Sequence, residues 1–302
     1  MNKIKDILRE TFIYRIYLKI KYLLYPIKLK KNRINKTKPT RLAIDNHKKD
    51  EGIIISLTTF PGRINIAHKT IYSLMHQTIK PYKIILWLAE SQFPQKNKDL
   101  PSNLTELEKY GLEIKWTKKD IKSYKKLVPT LIEYPNNIIV TADDDLYYPT
   151  NWLESLYKSY LKYPKDIHCH LITRITKENG RLLSIPRKKE YINSSSYSNK
   201  ILGGSGTLYP PKSLSSEVIN SEKFMKISPT SDDIWFWAMA IINGTKIRWI
   251  ENNMKDLFYT EFSQEETECL WKVNDKSEKL FPKHLNDIAK EYNLYDKISK
   301  EG

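Results

Sequence analysis

Residues 53–60 read IIISLTTF, a nearly continuous apolar run that Pro61-Gly62 ends. A run of this kind is typical of a strand that is buried on both faces of a parallel sheet. Similar runs follow, KIILWLA at 83–89 and NIIVTA at 137–142, and stretches with helical spacing separate them. Strands that alternate with helices indicate βαβ crossovers. The expected fold class is therefore α/β, with a mostly parallel sheet flanked by helices.

The positive charge of the chain is concentrated in its first 49 residues. The formal net charge is +16, and residues 1–49 carry +12 of it, from 15 Lys and Arg and three acidic residues. A protein that binds duplex nucleic acid needs its cations on the folded face that meets the phosphates. A basic arm on a nearly balanced body therefore predicts no nucleic-acid partner. The expected domains are a basic helical arm and linker over 1–49, an α/β domain over 50–265 and a C-terminal helical extension over 266–302.

The arm has apolar residues at roughly helical spacing, namely Ile4, Leu8, Phe12, Ile16, Ile20 and Leu24. This spacing predicts a helix that ends near Pro26, followed by a linker over 28–49. No apolar run reaches the roughly 18–20 residues of a membrane span. Basic residues mixed with Phe, Tyr and Leu favour a helix on an anionic membrane surface, through residues 1–30. Packing on the body or on a protein partner is the alternative.

The composition also indicates a compartment. Two cysteines, Cys169 and Cys269, cannot by themselves make a disulfide framework or a four-ligand zinc site, which favours a reducing compartment. Twenty Tyr and seven Trp argue against intrinsic disorder. The expected location is cytoplasmic, with peripheral contact at the inner face of the cell membrane.

An acidic triplet, Asp143-Asp144-Asp145, follows the run at 137–142. Three adjacent carboxylates at the end of a buried strand repel one another unless a cation neutralises them. Open α/β sheets bind ligands just outside the carboxyl ends of their strands. Oxygen ligands suit Mg²⁺ or Mn²⁺, which also bridge substrate phosphates. The triplet by itself leaves a solvated acidic turn before Pro149 as an alternative.

Two further motifs follow. Residues 201–210 read ILGGSGTLYP, a strand pattern interrupted by glycines that permit close approach of a ligand or another backbone. A glycine bulge without a ligand is the alternative. Residues 229–240 read PTSDDIWFWAMA, a helix start that Thr230 or Ser231 can cap. The helix dipole favours acidic residues in the first turn, and it accounts for one of Asp232 and Asp233 better than for both. Trp235 and Trp237 are expected in the core.

These motifs, in this order, resemble the nucleotide-sugar-dependent glycosyltransferases of the GT-A type, especially family-2-like bacterial enzymes of surface-polysaccharide synthesis. The resemblance covers roughly residues 52–250 and rests on the Asp-x-Asp pattern at 143–145, Gly-Gly-Ser-Gly at 203–206, and Asp232-Asp233 opening a helix. It implies a GT-A type domain that transfers a sugar, first of all from a UDP-sugar, to a hydroxyl of a glycan or lipid-linked glycan. Inversion and the use of Mn²⁺ or Mg²⁺ are also implied.

The resemblance implies roles for individual residues. The nucleotide sugar would contact Thr58, Thr59, Phe60, Arg63, Glu90, Lys125, Asp143 and Asp144. Lys126 is the alternative to Lys125 as the cation that neutralises a phosphate, and a solvated face that holds both lysines is the other interpretation. The metal would be held by Asp145 and Asp143. The transferred sugar and the acceptor would lie over Gly203, Gly204, Ser205 and Gly206. The general base would be Asp233, with Asp232 as the second candidate. No local motif supports His168, His170 or His284 as a metal ligand.

Two other classes of protein stay open. A sugar nucleotidyltransferase also uses a metal and an open α/β sheet, but it would carry a Gly-rich basic loop after the first strand. The corresponding segment, TFPGR at 59–63, is short and holds one glycine. A non-catalytic glycan-binding or membrane-adaptor protein would need neither the acidic triplet nor Asp233.

Overall fold

The computed structural model describes residues 12–47, 52–261, 263 and 280–299. Its strands are β1 (Ile53–Thr58), β2 (Lys83–Ala89), β3 (Leu112–Thr117), β4 (Ile138–Thr141), β5 (Leu146–Tyr147), β6 (Ile167–Cys169), β7 (Ile172–Glu178), β8 (Arg181–Ile185), β9 (Ser195–Ser196), β10 (Asn199–Ile201), β11 (Thr207–Tyr209), β12 (Ile247–Trp249) and β13 (Phe258–Tyr259). Its α-helices are α1 (Phe12–Lys31), α2 (Ile64–Met75), α3 (Ser102–Thr105), α4 (Val128–Glu133), α5 (Trp152–Lys162), α6 (Ser221–Ile227), α7 (Asp232–Ile242), α8 (Leu280–Glu291) and α9 (Tyr295–Ser299).

An eight-stranded sheet forms the centre of the fold, with the strand order β3-β2-β1-β4-β11-β6-β12-β9. The first four strands of this order pair in parallel. Strand β11 runs antiparallel to both of its neighbours, β6 and β12 pair in parallel, and β9 closes the sheet antiparallel to β12. Six of the eight strands therefore share one direction. The predicted α/β class, with a mostly parallel sheet, is confirmed.

Helices cover both faces of this sheet, which is why its central strands are apolar throughout. On one face, Ile71 of α2 packs in the same core as Ile55 of β1. On the other, Trp235 of α7 and Ile288 of α8 share a core with Ile139 of β4. A strand with helices on both sides has no solvated face, so its residues do not alternate between apolar and polar. The continuous runs quoted above follow from this arrangement.

Helix α1 differs from its prediction. It continues through Pro26 to Lys31, so the predicted end near Pro26 is wrong. A proline inside a helix removes one backbone donor and disfavours the preceding turn. Here Tyr25 and Leu29, on either side of the proline, are buried in the core of the domain, and this packing holds the helix together. Residues 1–11, where the predicted apolar stripe begins, lie outside the described part. Among the described helices, none combines the length and apolar character that a membrane span requires.

The segment after α1 lies along the domain in its described part, although a linker was expected there. The Ala43 N–H donates to the carbonyl of Tyr110 (2.9 Å), and Ile34 and Ile44 are buried in the core. Hydrogen bonds and packing contacts of this kind hold the segment against the domain, although its sequence has no helical or strand periodicity. The domain boundary expected at residue 49 lies outside the described residues and stays a prediction.

Helix α8 lies in the expected C-terminal helical extension and has a buried apolar face. Leu285, Ile288 and Ala289 are buried in the core that α7 shares. The side chain of Asn286 bonds both backbone groups of Leu182 on β8 (2.9 and 3.0 Å), so α8 also holds the β7–β8 hairpin. Residues 264–279, and with them the expected boundary at 265, lie outside the described part.

The glycine-rich segment at 201–210 is two strands in different sheets. β10 pairs with β7 in a three-stranded side sheet, whereas β11 lies in the main sheet, and a 3-10 turn at Gly203–Ser205 joins them. The ring of Trp152 packs against Gly206, and its Nε1–H donates to the carbonyl of Ser205 (2.8 Å). The expectation of a single interrupted strand is therefore wrong, because the chain changes sheets at the glycines.

We expect Gly206→Ala to lower the free energy of unfolding more than Gly180→Ala does. Both glycines have positive φ (+97° and +76°), so alanine at either position is strained by about 1–2 kcal/mol. A Cβ at Gly206 would also overlap the Trp152 ring, whereas at Gly180 it would meet nothing within 4 Å. Urea denaturation followed by tryptophan fluorescence measures both losses. Equal losses would contradict the packing of Trp152 on Gly206.

Candidate active site

The carboxyl ends of β1 and β4, the turn after β10 and the start of α7 line a cavity of about 550 Å³. Parallel neighbouring strands bring the residues that follow them to the same edge of a sheet, which is where open α/β folds bind ligands. Most of the residues predicted for nucleotide, metal and base therefore meet here. Those that line the cavity are Thr58, Thr59, Phe60, Arg63, Lys125, Asp143, Asp144, Asp145, Gly204, Asp232 and Asp233.

Arg63 pairs with two carboxylates of the acidic triplet. Its terminal nitrogens lie 2.8 Å from Asp144 Oδ1 and 3.0 Å from Asp145 Oδ2. The Thr59 hydroxyl also donates to Asp144, and the Arg63 guanidinium lies over the Phe60 ring. Asp144 and Asp145 are each only 5% exposed. A solvated acidic turn therefore does not describe this segment, because Asp144 and Asp145 are buried and paired.

Lys126 links the triplet to the acids of α7. Its Nζ lies 2.8 Å from Asp143 Oδ1 and 2.9 Å from Asp232 Oδ2, and its side chain is 5% exposed. Burial alone would lower the pKa of Lys126, but the charges of Asp143, Asp232 and Asp233 hold this pKa well above its ordinary value. The ammonium group therefore stays protonated and joins carboxylates that are distant in sequence.

The sequence-based set contained the neighbouring Lys125 in place of Lys126. Lys125 also borders the cavity, but its ammonium pairs with Asp120, and burial lowers its pKa. Both lysines lie in a 3-10 turn, Lys122–Lys126, in which successive side chains point in different directions. No pattern in a Lys-rich segment distinguishes the two, so only the folded turn shows that Lys126 faces the acids.

Asp233 is held in the first turn of α7. Its Oδ2 accepts the Gly203 N–H (3.0 Å), and Lys200 Nζ lies 3.9 Å away. Burial, together with the charge of Asp232, raises the pKa of Asp233. The side chain is 24% exposed and borders the cavity. A carboxylate with a raised pKa in this position can take a proton from a bound hydroxyl group.

Asp232 and Ser231 have structural partners. Ser231 occupies the N-cap of α7, but its side chain makes no capping bond, so the cap expected from Ser231 is wrong. Its hydroxyl pairs instead with His284 Nδ1 on α8 (3.1 Å). Asp232 accepts a hydrogen bond from Ser123 (2.8 Å) in addition to its ion pair. Of the two acids, Asp233 is therefore the better placed for chemistry.

The two glycines of the 3-10 turn lie against carboxylates of the two acidic segments, Asp233 of α7 and Asp143 of the triplet. A Cβ at Gly203 would overlap Asp233 Oδ1, and a Cβ at Gly204 would lie 2.9 Å from Asp143 Oδ2. The close approach expected at this turn is thus made by the carboxylates of the protein itself. Ser205 is fully buried and hydrogen-bonds to backbone groups. The proposed contact of these residues with a sugar stays a prediction.

Two residues predicted for the nucleotide have other partners. Glu90 is not among the residues that line the cavity, and its carboxylate pairs with the exposed Lys96 (3.0 Å). Thr58 borders the cavity, but its hydroxyl donates to the carbonyl of Trp87 (2.8 Å). Thr59, Phe60 and Arg63 of the predicted set therefore line the cavity. Thr58 also lines it, but its hydroxyl is bonded to the backbone, and Glu90 does not line it.

Sequence reasoning missed part of the cavity wall. Lys200, Leu257, Tyr259 and Phe281 also border it. Lys200 is 2% exposed, and its ammonium lies over the Phe281 ring, 5.1 Å from the centroid. Lys200 lies in β10, Leu257 and Tyr259 lie just before and in β13, and Phe281 lies in α8, so these residues are far apart in the chain. No local motif marks them, so a sequence signal for this wall was not available.

The histidines that were left out of the metal set have structural roles. His170 Nδ1 accepts the Met254 N–H (2.9 Å), and its Nε2 bonds to the carbonyl of Trp152 (3.0 Å). Burial lowers the pKa of His170 to about 4, so the ring is neutral at pH 7. His168 is likewise buried, and its ring bonds to Ser159 (2.9 Å).

Whether the site suits a divalent cation depends on Asp143 and Asp145. In the part of the chain that the structure describes, no three acidic, His or Cys side chains converge as a metal-binding group. Mg²⁺-type ions are commonly held by only one or two carboxylates together with phosphate oxygens of the substrate. Two carboxylates on the wall of one cavity fit that mode. At Asp145 the cation would compete with the contact that Arg63 makes to Oδ2.

No protein-family model matches this chain, and no curated protein matches it by sequence. Solved structures that it resembles include S. aureus TarS 1-349 in complex with UDP-GlcNAc, at 12% identity and a TM-score of 0.45. That match covers 69% of this chain and 58% of the TarS chain. The chain thus spans less than two thirds of the length of the TarS structure.

Two other solved structures show similarity of the same order. GalNAc-T7 with UDP, GalNAc and Mn²⁺ is 9% identical, with a TM-score of 0.43 over 66% of this chain and 42% of that one. The mannosyltransferase PcManGT from Pyrobaculum calidifontis, in complex with GDP-Man and Mn²⁺, is 11% identical, with a TM-score of 0.42 over 78% and 66%. Similarities of this size establish neither the activity nor the substrate of this chain.

We expect Lys126→Met to lower the free energy of unfolding at pH 7.5 by about 3 kcal/mol, because it leaves the largely buried Asp232 and the one-third exposed Asp143 without their cation. Lys96→Met is the control, since it removes an exposed ion pair that contributes about 1 kcal/mol or less. Urea denaturation of both variants at pH 7.5 tests this, and comparable losses for the two variants would refute it.

Proposed function

We propose that this chain is a glycosyltransferase that moves a sugar from a nucleotide-sugar donor to a hydroxyl of a glycan or lipid-linked glycan. The observation that carries this proposal is that two kinds of acidic group line the same cavity. The carboxylates at 143–145 pair with buried cations, whereas Asp233 faces the cavity with a raised pKa. The carboxylates at 143–145, together with their paired cations, suit the binding of a metal and a diphosphate. Asp233 suits the role of a general base. The resemblance of the sequence motifs supports the same function and a GT-A type domain.

The proposed donor half lies at the ends of β1 and β4. Arg63 and Lys126 carry positive charge that can meet a nucleoside diphosphate. Asp143 and Asp145 would hold Mn²⁺ or Mg²⁺, which when bound would neutralise charge on the diphosphate. Thr59 and Phe60 border the same region and are the candidate contacts of the nucleoside. A UDP-sugar is the first donor to test.

The proposed acceptor half lies at the start of α7. Asp233 takes the proton of the acceptor hydroxyl while the acceptor oxygen forms a bond to the anomeric carbon. The bond from that carbon to the diphosphate oxygen breaks, and the diphosphate leaves with the electron pair. Attack from the face opposite the diphosphate gives inversion in a single displacement. The Gly203 N–H fixes one oxygen of Asp233, and the positive charge of Lys126 favours departure of the diphosphate.

The proposed setting is the synthesis of bacterial cell-surface polysaccharide, such as lipopolysaccharide, capsule or O-antigen, at the inner face of the cell membrane. This part of the proposal rests on the resemblance of residues 52–250 and on the basic arm at 1–49. A lipid-linked acceptor suits that location.

We expect one nucleotide among UDP, GDP and CMP to bind with a requirement for Mn²⁺, and Asp145→Asn to weaken that binding by at least about tenfold. The reason is that Asp145 would lose the charge that holds the cation beside the diphosphate. Isothermal titration calorimetry measures this, with Asp99→Asn as the control, because Asp99 is exposed and does not line the cavity.

If no nucleotide binds in any condition, the proposed function is wrong, and a non-catalytic glycan-binding or adaptor protein becomes the better description. If the protein instead binds a nucleoside triphosphate with a sugar phosphate and releases pyrophosphate, it is a sugar nucleotidyltransferase. Binding that is independent of metal would remove the assigned role of Asp145 and leave the donor site in place.

We expect the rate of UDP release from the donor to rise with pH through the pKa of Asp233, because only the ionised carboxylate accepts a proton. Burial raises this pKa, so the rise should lie above the range near 4 of an ordinary carboxyl group. Asp233→Asn should lower the rate by at least about a hundredfold. Gly203→Ala should act in the same direction, because its Cβ displaces Asp233. Gly180→Ala serves as the control, and an unchanged rate in Asp233→Asn would exclude Asp233 as the base.

A further inference from the structure

The outward face of α1 carries an uncovered apolar stripe. Its members, Ile20, Leu23, Leu24 and Ile27, are 53%, 75%, 56% and 67% exposed. At 3.6 residues per turn they fall within an arc of about 100° on the helix surface. Other exposed aliphatic residues, such as Ile132 and Leu161, belong to different helices. The stripe is therefore a continuous apolar face rather than a set of isolated residues.

The opposite side of α1 attaches the helix to the domain. Leu29 is 2% exposed in the main core, and the Tyr25 hydroxyl donates to the carbonyl of Tyr259 on β13. Lys28 Nζ lies over the Phe258 ring, 5.4 Å from its centroid. These contacts fix the rotation of the helix about its axis. The stripe therefore points away from the domain because of tertiary packing.

The charges of α1 suit an anionic surface. The helix contains six basic residues and no acidic residue; the basic residues are Arg15, Lys19, Lys21, Lys28, Lys30 and Lys31. By helical geometry Lys28 and Lys30 flank the stripe on opposite sides, and both are exposed. An apolar face bordered by lysines is the pattern of a helix that lies in the interface of an anionic bilayer. Each cation near such a surface adds to the attraction.

We propose that α1 docks this protein on an anionic membrane surface. The stripe enters the boundary between head groups and acyl chains, while lysines beside it such as Lys30 reach the lipid phosphates at the water-facing edge. A protein groove would have to supply both an apolar floor and acidic rims, whereas an anionic bilayer supplies both along its whole surface. Charge complementarity therefore favours the bilayer as the occupant.

The position of α1 gives this docking a consequence for the cavity. The helix contacts β13, and Tyr259 of β13 lines the cavity wall. A helix with its side chains is about 10–12 Å across, so a bilayer on the outer side of α1 lies about that far from β13. This step rests on the proposed function: it places the Tyr259 side of the cavity about one helix width from the lipids that would carry a lipid-linked acceptor.

Vesicle co-sedimentation of the full chain tests the docking. We expect binding to vesicles of phosphatidylcholine with 30% phosphatidylglycerol to be at least about tenfold tighter than to phosphatidylcholine alone, and to weaken as salt is added. The double variant Leu23→Ser/Leu24→Ser should bind the anionic vesicles at least about tenfold more weakly. The matched control is Ile132→Ser/Leu161→Ser, which replaces two aliphatic side chains of similar exposure on other helices. This control should bind the anionic vesicles as the wild type does.

The outcomes separate this inference from the proposed function. Leu23→Ser/Leu24→Ser should bind nucleotide like the wild type, because neither residue lines the cavity. Wild-type nucleotide binding without vesicle binding overturns the docking alone. Equal binding of both double variants to vesicles overturns it as well. If the wild type is a dimer that Leu23→Ser/Leu24→Ser dissociates, and vesicles are not bound, a second copy of this chain covers the stripe and the proposal is wrong.

Discussion

The buried ammonium of Lys126 is the group on which the charge balance of the cavity depends. It lies between Asp143, which follows β4, and Asp232, which opens α7. Two carboxylates brought this close in a largely buried site repel each other and lose hydration, and one cation relieves both effects. Because the partners belong to different elements, the ion pairs also connect the edge of the sheet to α7. The two halves of the cavity are therefore one electrostatic unit, and a change in either half alters the other.

The second constraint is close packing at the turn after β10. Gly203 and Gly204 leave room for Asp233 and Asp143, whereas Gly206 leaves room for the Trp152 ring. Larger residues would move these groups, because interiors are packed too tightly to absorb an added carbon atom without displacement. The turn occurs where the chain passes from the side sheet into the main sheet. The topology thus requires small residues at the same positions at which the cavity brings its acids together.

The charges of this chain have two different environments. Inside the cavity, the buried Lys126 and the largely buried Arg63 lie beside carboxylates, where the surroundings are weakly polar and the interactions are strong. On α1 the lysines are exposed and act over a surface, where salt screens them. The first environment suits binding and chemistry on a phosphorylated donor. The second suits reversible attachment to a lipid surface next to the cavity wall, so the net charge of the chain does not describe either site.

Local sequence determined those parts of the structure that depend on period and composition. The continuous apolar runs identified β1, β2 and β4, because strands of this kind have local signals. The motifs also marked the triplet after β4 and the acids of α7, which the structure brings to one cavity. Only the tertiary structure decided that α1 continues past Pro26, that Lys126 rather than Lys125 faces the acids, and that Phe281 closes the cavity wall. In each case the deciding energy comes from contacts between residues far apart in the chain. A local pattern does not contain those contacts, so the packed fold determines which side chains share the site.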